Sequence, residues 1–185
     1  GNTGNIGLPL ALFAFGEAGL SLAVVIFAVT SVLAFTVGVW LVSGGGSLMR
    51  VVKEPMVAGT LLGALFLWRG WETPLFLTNA LELIGQMAIP LMLITLGVAL
   101  ARLHPKALGQ AVWLSLAKVA ICAGIAWGIG LWFGLADVAL AALIVQLATP
   151  VAVTSYMLAQ KYGADAEPVA GLVVVSTLLA VLTIQ

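Results

Sequence analysis

The sequence predicts an all-α polytopic membrane protein. Three observations predict it. The 185 residues are 63% hydrophobic and 8% charged, with a mean hydropathy of +1.21, whereas a water-soluble domain is nearer half apolar and a quarter charged. The apolar residues fall into runs long enough to cross a bilayer, which takes about 20 residues. Two of those runs are interrupted, at Gly1-Asn2-Thr3-Gly4-Asn5-Ile6-Gly7-Leu8-Pro9-Leu10 and at Ala148-Thr149-Pro150. Non-helical backbone at membrane depth is tolerated only where protein buries it or a watery cavity meets it.

The elements follow in order. Residues 3–15 make about half a span, ended by Phe15-Gly16-Glu17. Full spans are expected at 19–42, 55–68, 75–101, 107–133 and 137–162, with a sixth at 167–185. The 55–68 run is short, so its ends reach toward Lys53 and Arg69. Connectors are brief, and none is long enough for a soluble domain. Trp40, Trp68, Trp71 and Trp132 sit near span ends, as interfacial anchors do. Gly59-Thr60-Leu61-Leu62-Gly63 and Gly124-Ile125-Ala126-Trp127-Gly128 match the small-xxx-small pattern and read as internal helix packing. The domain division is 1–42, a cytoplasmic loop at 43–54, and 55–185.

Alternate connectors face opposite sides of the membrane. One side collects Arg50, Lys53, Arg102, Lys106 and Lys161; the other collects Arg69. The positive-inside rule puts the Gly44, His104 and Gly163 loops in the cytoplasm and the C-terminus outside, in a multi-pass protein of the cell membrane.

Pro150 cuts its span near the midplane, since Pro150 to Tyr162 is about 18 Å of helix. Proline removes one backbone hydrogen bond and clashes with the preceding turn, so a simple kink is one reading. The opening segment supports another. It has a similar length after its own break, and each half-helix leads into a full span. By the loop count, one half-helix ends outside and the other inside, as an inverted repeat requires. Two half-helix N-termini then face each other, each with unpaired N–H groups and partial positive charge suited to an anion. Asn2, Thr3 and Asn5 add donors at one terminus; Thr154 and Ser155 can add them at the other.

These strings resemble the auxin efflux carrier family, which includes plant PIN-FORMED proteins and bacterial members. The opening ten residues look like that family's fourth-helix crossover. Ala148-Thr149-Pro150 with Ala159-Gln160-Lys161-Tyr162 is similar to its ninth-helix crossover. Lys53-Glu54-Pro55 and Ala88-Ile89-Pro90-Leu91 with Gly97 are similar to its sixth and seventh helices. The resemblance implies a ten-helix carrier fold of two inverted five-helix repeats with two crossed broken helices. On that template the first three helices are absent from this chain, and upstream sequence is expected. Asn2 matches the family's crossover asparagine and Pro150 its crossover proline. Gly1 stands where plant members have proline. The resemblance implies a secondary transporter moving a small organic anion, a carboxylate or auxin-like molecule, by alternating access. It also implies a mobile unit holding the crossovers and a scaffold containing 55–68 and 75–101.

The candidate substrate-binding residues are Asn2, Thr3, Gly4, Asn5, Gln146, Thr149, Pro150, Val151, Thr154 and Lys118. Lys118 lies near the middle of its span, where a charge is costly and marks function by default. It can offset substrate charge or pair with a carboxylate; a snorkelling lysine is the plainer reading. Gln146 is one turn before Pro150, and Thr149 can satisfy backbone that Pro150 frees. Glu82 and Gln86 are weaker candidates near the outer end of their span. His104 reads as an interfacial residue. Cys122, the single cysteine, cannot form an internal disulfide. No zinc motif, nucleophile elbow or phosphate loop occurs, so neither an enzyme, a metal site nor a cofactor is expected. The zero net charge gives no sign of nucleic-acid binding. Expected partners are the anion, the lipid bilayer and a second copy met through scaffold helices. The rival readings are a sodium-coupled bile-acid-type or sodium/proton-type carrier, with carbonyls near Pro150 holding the cation, and a membrane sensor that does not transport. Against the cation carriers, the crossover runs lack Asp and Glu.

Overall fold

The computed structural model describes residues 1–42, 55–101 and 108–183. The Gly44 and His104 loops, with Arg50, Lys53, Arg102 and Lys106, lie outside the described residues. Among the described residues every regular element is helical. A π-helical turn, Thr3–Gly7, leads into α1 (Leu8–Leu33); a second, Ala34–Gly38, leads into α2 (Val39–Val42). Then come α3 (Pro55–Arg69), α4 (Leu75–Ala101), α5 (Leu108–Trp132), α6 (Asp137–Ala148), α7 (Val153–Lys161) and α8 (Glu167–Thr183). Among the described residues three stretches, Thr3–Leu41, Leu75–Thr95 and Leu108–Trp132, are long and apolar enough to cross a membrane. The pair α6 and α7 makes a fourth if taken as one span, bent by 41°.

The backbone leaves the helix at two glycine- or proline-marked points, one at the expected end of the opening half-helix and one at the Ala148-Thr149-Pro150 interruption. At Gly16 the chain leaves the helix with φ 65° and ψ −159°. That region is open essentially to glycine alone, and nothing lies within 4 Å of where a Cβ would be, so the torsion itself is what requires glycine. The second break separates α6 from α7 at Thr149–Ala152. Proline alone does not dictate such a break, because Pro90 sits inside α4 without ending it.

The described chain divides into two compact units. In the unit of Gly1–Phe27 and Met92–Gln185, α5 packs on α6 and α8, α7 packs on α8, and the Thr3–Gly7 turn meets α6. Its buried positions are mostly small, among them Ala11, Ala111, Ala126, Ala142 and Ala170. Small side chains let helix backbones approach, which is how membrane helices gain packing energy without a hydrophobic effect between them. At Gly130 a Cβ would fall 2.3 Å from Leu140 Cδ1, so α5 and α6 close tightly there. Gly134, at φ 61°, then turns the chain, and the Leu135 N–H reaches back to the Gly130 carbonyl at 2.9 Å. This six-to-one bond is a Schellman-type helix end. Large apolar side chains such as Phe13, Trp113, Ile121 and Trp132 are exposed. A bilayer's hydrocarbon accommodates such a surface; water does not.

In the unit of Ala28–Leu91, the Arg69 guanidinium lies 5.5 Å from the Trp68 ring and 5.6 Å from the Trp71 ring. Phe66 meets Trp71 edge-on at 5.4 Å. This cation–aromatic cluster at the end of α3 has the composition of an interfacial anchor. The small-xxx-small glycines do not show the expected packing among the described residues: a Cβ at Gly59, Gly63, Gly124 or Gly128 would meet nothing described within 4 Å.

Candidate functional site at the broken helix

The site grows from the break between α6 and α7. Thr149 has φ −47° and ψ 146°. A residue before proline is disfavoured in the helical region, and Thr149, unlike the residue before Pro90, leaves it. Ala152 is also extended, at φ −73° and ψ 142°, before α7 starts. Stopping a helix inside apolar surroundings leaves carbonyls without partners, and each must be satisfied.

Side chains from three directions satisfy them. Pro150 has no N–H to give the Gln146 carbonyl; the Thr149 hydroxyl donates to it instead, at 2.6 Å. The Val151 N–H, which a continuous helix would direct to Leu147, donates to Ser176 Oγ on α8 at 2.9 Å. That frees the Leu147 carbonyl, and Lys118 Nζ, reaching from α5, donates to it at 3.0 Å. The same ammonium donates to the Thr149 carbonyl. The Pro150 carbonyl accepts the Asn2 backbone N–H at 2.6 Å. Asn2 in turn starts the π-helical turn, since the Gly7 N–H reaches its carbonyl at 3.1 Å. The opening segment and the break are therefore joined directly.

Glycines allow this approach. A Cβ on Gly7 would fall 2.2 Å from Gln146 Oε1, and one on Gly1 would fall 2.5 Å from Thr149 Oγ1. Gln146 is fully buried, and among the described residues neither its Nε2 nor its Oε1 has a hydrogen-bond partner. Asn2 Nδ2 and Ser115 Oγ are likewise buried and unpartnered. An unpaired buried amide costs about 1–3 kcal/mol. The Asn2 and Gln146 amides, both at the break, call for a ligand or water to complete them.

Of the residues expected at the site, Asn2, Lys118, Gln146, Thr149, Pro150 and Val151 come together through these contacts. Thr3 and Gly4 are buried in the next turn, where Gly4 abuts the Phe27 ring, and Asn5 is half-buried. Thr154 and Ser155 lie exposed on the first turn of α7. Glu82 and Gln86 are exposed on α4. Gly7 and Ser176 also belong to the site, through Gln146 and the Val151 N–H. The available signal was a polar or small residue within an apolar run.

Charge at the break is one-sided. Lys118 sits at the C-terminal end of α6, where a cation complements the helix dipole. Asp137 opens α6, while Asp165 and Glu167 follow α7, so these carboxylates stand at the far ends of the two half-helices. Among the described residues no cluster of His, Cys, Asp or Glu could hold a metal ion. The site can thus offer an ammonium, amide donors and the N-terminus of α7 to a negatively charged group.

The family model described as "Membrane transport protein" matches residues 40–185. A Rhizobium meliloti protein named "Putative malonate transporter" is 28% identical, covering 100% of this chain and 62% of that protein. An uncharacterized transporter of Methanocaldococcus jannaschii is 26% identical, covering 100% of this chain and 63% of that protein. The chain therefore spans less than two thirds of either relative's length. No solved structure matches.

Proposed function

The chain belongs to the membrane transport protein family, the auxin efflux carrier family that its motifs resemble, and on that premise we propose that it moves a small organic anion across the cell membrane by alternating access. The carrying observation is the broken helix: Lys118 reaches it without a carboxylate partner among the described residues, beside the unpaired buried amides of Asn2 and Gln146. A carboxylate would receive hydrogen bonds from Asn2 Nδ2, Gln146 Nε2 and the first turn of α7, with Lys118 offsetting its charge. The relative named for malonate supports a small dicarboxylate as the substrate class.

The inverted repeat, with the Gly163 loop inside and the C-terminus outside, is part of this proposal. Cysteine introduced at Thr73 should then be labelled only from outside; labelling only from the cytoplasm would reverse the arrangement. The sodium-carrier reading is weaker, because Lys118 already uses the break's Leu147 and Thr149 carbonyls. Uptake of labelled malonate into proteoliposomes holding the intact protein tests the proposal. Saturable uptake, competed by other small dicarboxylates, is expected. Folded protein that neither binds nor moves small carboxylates would contradict it and favour a sensor.

A further inference from the structure

We propose that Lys118 is a tethered cation, whose ammonium occupies the place on the broken end of α6 where an alkali cation would otherwise bind. Its part in transport rests on the anion-carrier reading above; its occupancy of the break does not.

Discontinuous helices in carriers bind cations through unwound carbonyls and half-helix C-terminal ends. This break exposes such a donor set. The Leu147 and Thr149 carbonyls point to one positive group, and that group is Lys118 Nζ. Three neighbouring carbonyls are engaged by other donors: Val145 by the Thr149 N–H at 3.1 Å, Gln146 by the Thr149 hydroxyl and Pro150 by Asn2. The diversion of the Val151 N–H to Ser176 is what leaves Leu147 available. An alkali ion and an ammonium cannot share these oxygens, because like charges at contact distance in low dielectric repel strongly. The lysine therefore excludes the ion. It supplies a positive charge beside the proposed anion site without drawing on an ion gradient. Of the ammonium's three donors, two go to carbonyls, and the third remains for a substrate oxygen.

Replacing Lys118 with alanine removes the charge and opens the space its side chain filled. Ammonium, which repeats the lost group, should refill it, as should sodium. Lys118→Met fills the space without charge and should not be rescued. Melting temperatures of the purified intact protein in ammonium, sodium and choline chloride at equal ionic strength test this. Wild type should melt alike in all three salts. Lys118→Ala should be stabilised saturably by ammonium and sodium over choline, and Lys118→Met should not. A sodium-specific stabilisation of wild type, or Lys118→Ala melting alike in all three salts, would overturn the proposal.

If Lys118→Ala folds in no salt, wild-type malonate uptake decides. Equal uptake in sodium and choline supports the tethered cation; a sodium requirement overturns it. Where Lys118→Ala folds, its uptake in choline should fall roughly 10- to 150-fold, the worth of a hydrogen bond to a charge, and ammonium should restore it. Absence of malonate uptake in every salt would count against the anion reading and leave the melting data to judge Lys118.

Discussion

Gly7 and Gln146 are in contact: a side-chain carbon on Gly7 would fall 2.2 Å from Gln146 Oε1. The glycine is there because the opening turn and α6 approach too closely for any side chain. Gly7→Ala should therefore displace the Gln146 amide and destabilise the protein by about 1–3 kcal/mol, as overpacking does. Gln146→Ala in the same background should recover most of that loss. Melting temperatures of the four members of this double-mutant cycle check it, and strict additivity would mean that the two residues do not share the space.

Ser176 replaces a helix bond that the break gives up. Ser176→Ala leaves the half-buried Val151 N–H without its acceptor. The expected cost is about 1–3 kcal/mol, the penalty for a stranded backbone group. Ser176→Thr keeps the hydroxyl and should lose less. Thermal unfolding of both variants tests the ordering.

Gly16 ends the first half-helix through its torsion rather than through packing. Gly16→Ala meets no atom but must hold φ 65° and ψ −159°, at a cost of about 1–3 kcal/mol. A lowered melting temperature is expected, with little change in substrate affinity, since the residue lies outside the break. An unchanged melting temperature would mean that the segment relaxes into a continuous helix.

Much of this architecture was legible in the sequence. Apolar runs of bilayer length located the long helices, and α4 matches the expected 75–101 at both ends. Gly16 and Pro150 announced breaks because glycine alone reaches the Gly16 torsion and proline cannot donate to Gln146. Yet Pro90 carries the same local signal and leaves α4 unbroken. The difference at Pro150 is tertiary: Lys118, Ser176 and Asn2 supply partners for the groups a broken helix strands. No local pattern encodes those partners, which come from sequence distances such as 29 residues for Lys118 and Leu147. The same limit explains the missed residues. Ser176 looks like any serine in an apolar span until α8 lies beside the break. The small-xxx-small glycines failed as signals for the opposite reason, because a spacing pattern does not say what lies across from it.

The proposed anion completes the polar groups left unpaired where Asn2 meets the broken helix. The affinity of purified intact protein for labelled malonate, compared between wild type and Asn2→Ala, tests it most directly. The Asn2 backbone N–H to Pro150 survives this substitution, while the unpartnered Nδ2 is removed. The melting temperature should therefore hold or rise slightly, because a stranded buried donor disappears. Affinity should fall by roughly 10- to 150-fold, the loss of one hydrogen bond worth about 1.5–3 kcal/mol to a charged group. A folded Asn2→Ala variant that binds malonate as tightly as wild type would contradict the claim and move the binding site away from the crossing.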